Sequence, residues 1–219
     1  MTNSPTPEPS TTGAITRARL IEVATKHFAD DGYAAASQRA IQREAGVNPA
    51  SAHYHFGSKE AMFRAVVDTF IHDIQQERVR RHDAIPAEMA GHERLKRLLV
   101  GYFAPGLAVA ANPQGYHYAR ILARVQGERR GTSLEIFEEI VLPVREMFVD
   151  SLHRLYPHAP REEVYELLMT GVTIMAIGAI GSRHDNLLRP GGVEAEAERM
   201  ATIVAAGFEA LLGQPGHQS

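Results

Sequence analysis

The sequence contains no cysteine and no tryptophan. Without cysteine there can be no thiol nucleophile, no disulfide and no cysteine-based zinc site, so three classes of chemistry are excluded at once. The absence of cysteine fits a reducing compartment, and we expect a cytoplasmic protein.

A strong net charge and a long apolar run are also missing. The 219 residues are 44% apolar and 22% charged, with a formal net charge of -3, which is the composition of a soluble globular protein. The longest apolar stretch, residues 167–181, is shorter than the roughly 20 residues of a membrane span. We interpret it as a helix buried on most sides and expect no membrane partner. The slightly acidic balance argues weakly against a nucleic-acid partner.

Residues 1–12 are polar and rich in proline, and they lack the basic and apolar regions of an export signal. We predict that they form a disordered leader.

The remaining sequence has a helical period and predicts an all-α fold of about nine helices. Leu20, Ile21, Ala24 and Phe28 share one face of the first helix, which we expect to end near Gly32. The later part of the chain predicts five longer helices, with a proline at position 105 or 143 inside two of them as a kink or break. Their predicted bounds are 92–111, 114–126, 133–156, 160–184 and 194–212.

Residues 37–60 have the pattern of a helix-turn-helix. Ser37 is a plausible N-cap for the first short helix, Gly46 suits the tight turn, and Asn48 with Pro49 opens the second short helix. Ser58 is placed to cap a long fourth helix. The residues expected to face inward are Ile41, Ala45, Val47, Ala52 and Phe56.

Residues 15–70 resemble the N-terminal domain of TetR-family transcriptional repressors. The residues that carry the likeness are Ile21 to Ala24 with Phe28, Gly32-Tyr33, Ile41, Ala45-Gly46-Val47, His55-Phe56 and Ser58-Lys59-Glu60. The resemblance implies a homodimeric repressor that is released from a palindromic operator by a small apolar, aromatic or acyl effector. Activation instead of repression is the alternative. It implies a DNA-binding domain over 13–60, an effector and dimerisation domain over 61–213, and a flexible tail over 214–219.

The recognition helix departs from the usual family pattern. A large aliphatic residue followed by tyrosine is usual where this chain has Ala52 and His53, and the aromatic ring comes one place later, at Tyr54. The end of the helix, Tyr-His-Phe-Gly-Ser-Lys, is similar to that of a subgroup of the family. Which of residues 53 and 54 touches phosphate and which reaches a base is left open.

The resemblance implies two kinds of DNA contact. The phosphate contacts, with Lys59 as the leading residue, would come from Ser37, Arg43, Tyr54, His55 and Lys59. Base contacts would come from Pro49, Ala50, Ser51 and His53, with Gln38 or Gln42 in support, and the cap Asn48 is a further DNA-binding candidate. As alternatives, Tyr54 could be an aromatic at the core edge, His55 a packed or capping residue, and Gln42 solvated surface.

The charge is distributed unevenly along the chain. Residues 15–59 carry six Lys or Arg and four Asp or Glu, whereas residues 61–219 carry 17 and 20. A modest local excess of positive charge, doubled in a dimer, is compatible with a few phosphate contacts.

The second domain offers candidates for an apolar effector pocket and for a dimer interface. The pocket candidates are Phe103, Tyr116, Tyr118, Leu122, Phe137, Phe148, Met169 and Met175, with Arg120 or Arg124 as a possible carboxylate partner. The interface candidates, on the last two helices, are Val172, Met175, Ala179, Ile203, Val204 and Phe208. The alternative is that most of these residues are ordinary core.

Two other functions compete with DNA binding. Eleven histidines invite a metal or acid-base site, but no metalloprotease, nucleophile-elbow or phosphate-loop motif occurs, so we expect no enzyme, no metal and no cofactor. A helical adaptor that binds protein partners through an exposed apolar face is the other alternative.

Overall fold

The computed structural model describes residues 11–181 and 190–216, without the side chains of residues 11, 12 and 114. This described part contains nine helices and no strand, which confirms the all-α prediction. Residues 1–10 of the predicted leader and residues 217–219 of the predicted tail lie outside it. The helices are α1 (Thr11–Ala35), α2 (Gln38–Glu44), α3 (Pro49–Phe56), α4 (Lys59–Asp83), α5 (Gly91–Ala110), α6 (Pro113–Gln126), α7 (Thr132–His153), α8 (Arg161–Ile180) and α9 (Gly192–Leu212).

The helices divide into two compact units. The boundary falls between Val66 and Val67, inside α4. The first unit therefore holds α1 to α3 and the start of α4, and the second holds the rest.

The first unit is defined locally by its helix caps and one turn. Ser37 Oγ accepts a hydrogen bond from the Ala40 amide at 3.4 Å, and Asn48 Oδ1 accepts one from the Ser51 amide at 2.8 Å. Ser58 Oγ caps α4 in the same way, as predicted. The α2–α3 turn needs a positive φ of 64° at Gly46, which a residue with a Cβ adopts only with strain.

The core of the first unit is built on the apolar face that the helical period predicts. Phe28 and Phe63 meet edge to face with ring centroids 5.0 Å apart, and Tyr33 stacks on Phe28 after the left-handed Gly32 interrupts α1. Burying each large side chain contributes roughly 1.5–3 kcal/mol to stability. The other buried apolar members are Leu20, Ala24, Ala29, Ala36, Ile41, Ala45, Ala52, Phe56, Met62 and Val66.

The second unit is built around α5, which is buried from residue 98 to residue 107. Helix α9 packs along α5, and α8 packs against α6 and α9. Pro105 and Pro143 lie inside α5 and α7, and both helices continue through them without the break that was one of the two expectations.

Helix α8 is long and apolar enough to cross a membrane by length and composition, since the helix begins six residues before the apolar stretch. The prediction that it is buried on most sides holds except on one face. Only 39% of the most apolar 18-residue part of the helix is buried, and Thr170, Thr173 and Ile177 are exposed. Helix α8 is therefore a core helix with one open face.

Candidate functional site

The exposed face of α3 presents the side chains predicted to contact DNA. Tyr54 is 83% exposed, and Pro49, Ala50 and His53 are exposed beside it. Ala52, on the opposite face, is 2% exposed and fixes the helix to its unit. Ser51 and His55 are half-buried at the edges. An eight-residue helix is about 12 Å long, so this face can enter a major groove.

Lys59 has a defined position next to this face. Its ammonium donates to the Ala34 carbonyl at 3.1 Å and lies 4.7 Å from the centre of the Tyr33 ring. Burial, together with the Glu60 carboxylate, raises the pKa of Tyr33, so the ring beside Lys59 stays neutral. An ammonium has three donors, which leaves Lys59 with donors for a phosphate. The sequence indicated Lys59 but not the contacts that hold it.

The remaining DNA-binding candidates differ in how much of each side chain is available. Ser37 and Asn48 use an oxygen as a helix cap, although both residues are exposed. Arg43 is exposed, whereas Gln38 and Gln42 are half-buried.

A small cavity lies in the second unit. It has room for about one water molecule, at about 20 Å³. The structure brings five of the eight apolar and aromatic pocket candidates to this cavity: Tyr118, Leu122, Phe137, Met169 and Met175. Its other lining residues are Ile71, Arg78, Tyr102, Gly106, Gln126, Val141, Arg145 and Val172.

The other three candidates do not line the cavity, and neither do the two candidate arginines. Phe103 and Phe148 are fully buried and pack edge to face against Tyr102, with centroids 5.9 and 5.1 Å away, so they are core residues. Tyr116 and Arg120 are half-buried on α6. The arginines at the cavity are instead Arg78 and Arg145, which the sequence did not indicate.

An open groove of about 510 Å³ runs between α4 and α7. Ile71 lines both this groove and the small cavity. Gln75, which also lines the groove, donates to the Val141 carbonyl at 3.3 Å and so joins the two helices. The groove is lined by Asp68, Ile71, His72, Gln75, Ile140 and Val144.

Most of the predicted interface residues lie inside the subunit. Val172, Met175, Ala179, Val204 and Phe208 are each at most 6% exposed, because these side chains fill the core of the second unit. Of the six candidates, Ile203 alone is exposed, at 45%. The other large apolar side chains exposed on α8 and α9 are Ile177 and Leu211, at 61% and 72%.

The described residues contain one serine-histidine-carboxylate alignment. His82 Nε2 lies 2.8 Å from Ser151 Oγ, and His82 Nδ1 lies 3.1 Å from the Asp83 carboxylate. Ser151 is only 1% exposed, and Arg154 donates to its hydroxyl, so a substrate cannot reach the oxygen. In the same part of the chain, no group of three or more histidine or carboxylate side chains is arranged to hold a metal.

Two family descriptions match successive segments of the chain. "Bacterial regulatory proteins, tetR family" matches residues 20–66, and "Tetracyclin repressor-like, C-terminal domain" matches residues 101–207. The first segment holds the helix-turn-helix, and the second holds most of the cavity.

Known proteins are similar to this chain in sequence or fold. The HTH-type transcriptional regulator BetI of Rhizobium meliloti (strain 1021) is 32% identical over 85 residues, which are 39% of this chain. The chain matches 40% of the length of that relative.

The likeness to solved structures extends over most of the chain. The fatty acid degradation regulator FadR from Bacillus halodurans has a TM-score of 0.63 at 11% identity and covers 88% of this chain and 96% of its own. FadR from Bacillus subtilis, solved in complex with stearoyl-CoA, has a TM-score of 0.58 at 12% identity, covering 87% and 98%. At these identities the likeness concerns the fold. The two family matches, over residues 20–66 and 101–207, lead to one conclusion: the chain belongs to the TetR family of bacterial regulatory proteins.

Proposed function

We propose that the protein is a DNA-binding transcriptional regulator that represses its target genes until a small effector releases it. The observation that carries this proposal is the exposed polar and aromatic face of α3 on a capped helix-turn-helix. The competing adaptor function requires an exposed apolar face, and it does not account for a polar and aromatic face on α3.

The arrangement of α3 supports a division of labour in DNA contact. His53 and Ser51 can donate or accept hydrogen bonds at base edges, whereas Ala50 can contact only a thymine methyl group. Tyr54, His55, Arg43 and Lys59 would position the helix through phosphates. The motif from Tyr54 to Lys59 supports membership of the subgroup with that recognition-helix ending.

We assign the dimer interface to the open faces of α8 and α9. Ile177 and Ile203 are exposed there together with threonines that do not obstruct a partner helix. An isologous contact through these two helices would form a four-helix bundle between two copies. Such a dimer would present two recognition helices to the half-sites of a palindrome.

The effector would bind in the second unit, at the small cavity and the neighbouring groove. Flexible Met169 and Met175 line the cavity, and their side chains can move to admit a ligand. Bound effector would favour a dimer whose recognition helices no longer match half-sites one helical turn apart. The relative solved with stearoyl-CoA supports an acyl compound as one class of effector.

The direct experiment is to footprint the purified protein on DNA upstream of its own gene. We expect protection of a palindrome, and loss of that protection in Tyr54→Ala. Tyr54→Phe keeps the aromatic ring and removes only the hydroxyl group, so it shows which of the two contributes to DNA binding. A full footprint by the alanine variant would show that α3 does not dock as proposed.

A further inference from the structure

Two arginines in the second unit are buried beside one cavity. Arg78 on α4 is 5% exposed and Arg145 on α7 is 2% exposed, and both line the small cavity. Burying a guanidinium is costly unless a carboxylate or several hydrogen bonds compensate its charge. The groups that compensate each guanidinium charge therefore indicate whether Arg78 and Arg145 only stabilise the fold or are available to bind a ligand.

Arg78 is held by neutral groups. Its Nε donates to the Tyr102 carbonyl at 2.9 Å, its Nη1 donates to Gln75 Oε1 at 3.2 Å, and its guanidinium lies 3.9 Å from the Tyr102 ring centre. Over residues 11–181 and 190–216, no carboxylate pairs with it. Arg78 is thus a buried cation with its charge uncompensated in this part of the chain.

The charge of Arg145 is compensated by a carboxylate, but its guanidinium does not make all of its possible hydrogen bonds. It pairs with the Glu138 carboxylate and lies over the Tyr165 ring. Its Nε is buried and has no hydrogen-bond partner among the described residues. Two guanidiniums against one carboxylate leave the cavity with one excess positive charge.

The other lining groups are suited to the rest of an organic acid. Leu122, Phe137, Val172 and the two methionines give the cavity an apolar wall. Burial raises the pKa of Tyr118 well above its ordinary value, so its hydroxyl stays protonated and can donate to an anion.

We propose that Arg78 and Arg145 bind the carboxylate of a monoanionic organic acid, whose apolar body displaces Met169 and Met175. This inference rests on the proposed function, because it identifies the head group of the effector. It transfers the role of carboxylate partner from the α6 residues Arg120 and Arg124 to two side chains that the fold buries.

The test measures binding by isothermal titration calorimetry to the full chain. The probes are hexanoate, octanoate, benzoate and phenylacetate, each with its primary amide as a neutral match of similar shape. We expect at least one carboxylate to bind about tenfold or more tightly than its amide, since hydrogen bonds to charged groups are the stronger kind. Arg78→Met should remove this preference, and Arg145→Lys should weaken it.

Arg120→Met and Arg124→Met are the matched controls, because each removes one arginine without touching the cavity lining. Circular dichroism melting of every variant shows whether it is folded. The proposal is overturned if no probe binds, if amides bind as tightly as acids, or if the preference survives Arg78→Met.

Operator binding separates failure of this inference from failure of the proposed function. If the footprint is present and the acids show no charge preference, the head-group assignment alone is wrong. If the protein protects no DNA, the regulatory function fails whether or not an acid binds.

Discussion

The side chains proposed to bind DNA lie at the surface of the first unit, whereas those proposed to bind the effector head group lie in the core of the second. In the first unit the candidate residues lie at the surface, with Tyr54 83% exposed, and the described core beneath them contains no buried charged side chain. In the second unit the two arginines proposed to bind the effector, Arg78 and Arg145, are themselves part of the core. The difference follows from the size of the ligand: a duplex is read from outside, whereas a small molecule must be enclosed.

The largest effect is expected at the α8–α9 face, on which the proposed dimer depends. Ile177→Glu combined with Ile203→Glu would bury charges in the proposed interface, so we expect a monomer in analytical ultracentrifugation. Operator affinity should fall by about 100-fold or more, since two linked half-sites are no longer bound together. Leu142→Glu, at another exposed apolar position, should leave the dimer intact. If the double variant is still a dimer, the interface lies elsewhere on the protein.

The next largest effect tests how tightly the second unit is packed. A Cβ on Gly171 would lie 2.6 Å from Phe103 and 2.9 Å from Val204, so Gly171→Ala should lower the free energy of unfolding by about 2 kcal/mol. Gly101→Ala, at a helical glycine whose added Cβ would meet no atom nearer than 3.5 Å, should raise it by about 0.5–1 kcal/mol. Urea unfolding of both variants measures these changes. Equal effects would mean that the approach of α8 to α5 is loose.

The role of Lys59 can be separated from net charge. Lys59→Ala should weaken operator binding about equally across sequences and reduce the salt slope of log affinity by about one. Lys26→Ala removes the same charge from the same unit, at an exposed residue near Glu44, and should leave the slope unchanged. Fluorescence anisotropy titrations over a range of salt concentrations give both slopes. Identical slopes for the two variants would assign Lys59 to packing on Tyr33.

The smallest effect concerns an ion-pair network in the second unit. Hydrogen bonds from Arg80 and Arg81 lower the pKa of Glu77 to about 2, and Arg81 also pairs with Glu194 on α9. A lowered pKa stabilises the fold above the ordinary value of 4.5, and that stability is lost as the pH falls towards 2. Glu77→Gln should therefore cost about 1 kcal/mol at pH 7 and less at pH 3. Asp73→Asn, exposed on the same helix, is the control, and a pH-independent cost would exclude the electrostatic explanation.

The sequence predicted the first unit well because its signals are local. Caps at Ser37, Asn48 and Ser58 and the turn at Gly46 act within a few residues, and each is found in the structure. The face that carries Tyr54 follows directly from where those helices begin.

The second unit was predictable in its helices but not in its site. Phe103 and Phe148 are aromatic residues of the type that lines apolar pockets, yet long-range packing places them in the core. Arg78 follows Ile71 and Ile74 on one helical face, and Arg145 lies between Val141 and Val149 on another. A charged residue at a core position of the helical period was the signal that could have revealed the cavity.

The most direct test of the account is a comparison of two duplexes of equal length, one with the footprinted palindrome and one with the same bases scrambled. Anisotropy titration at physiological salt should give an affinity for the palindrome about 1,000-fold or more above that for the scrambled duplex. His53→Ala should reduce this ratio more than Lys59→Ala, because base contacts specify and phosphate contacts position. Equal affinity of the wild-type protein for both duplexes would contradict the claim that α3 reads a DNA sequence.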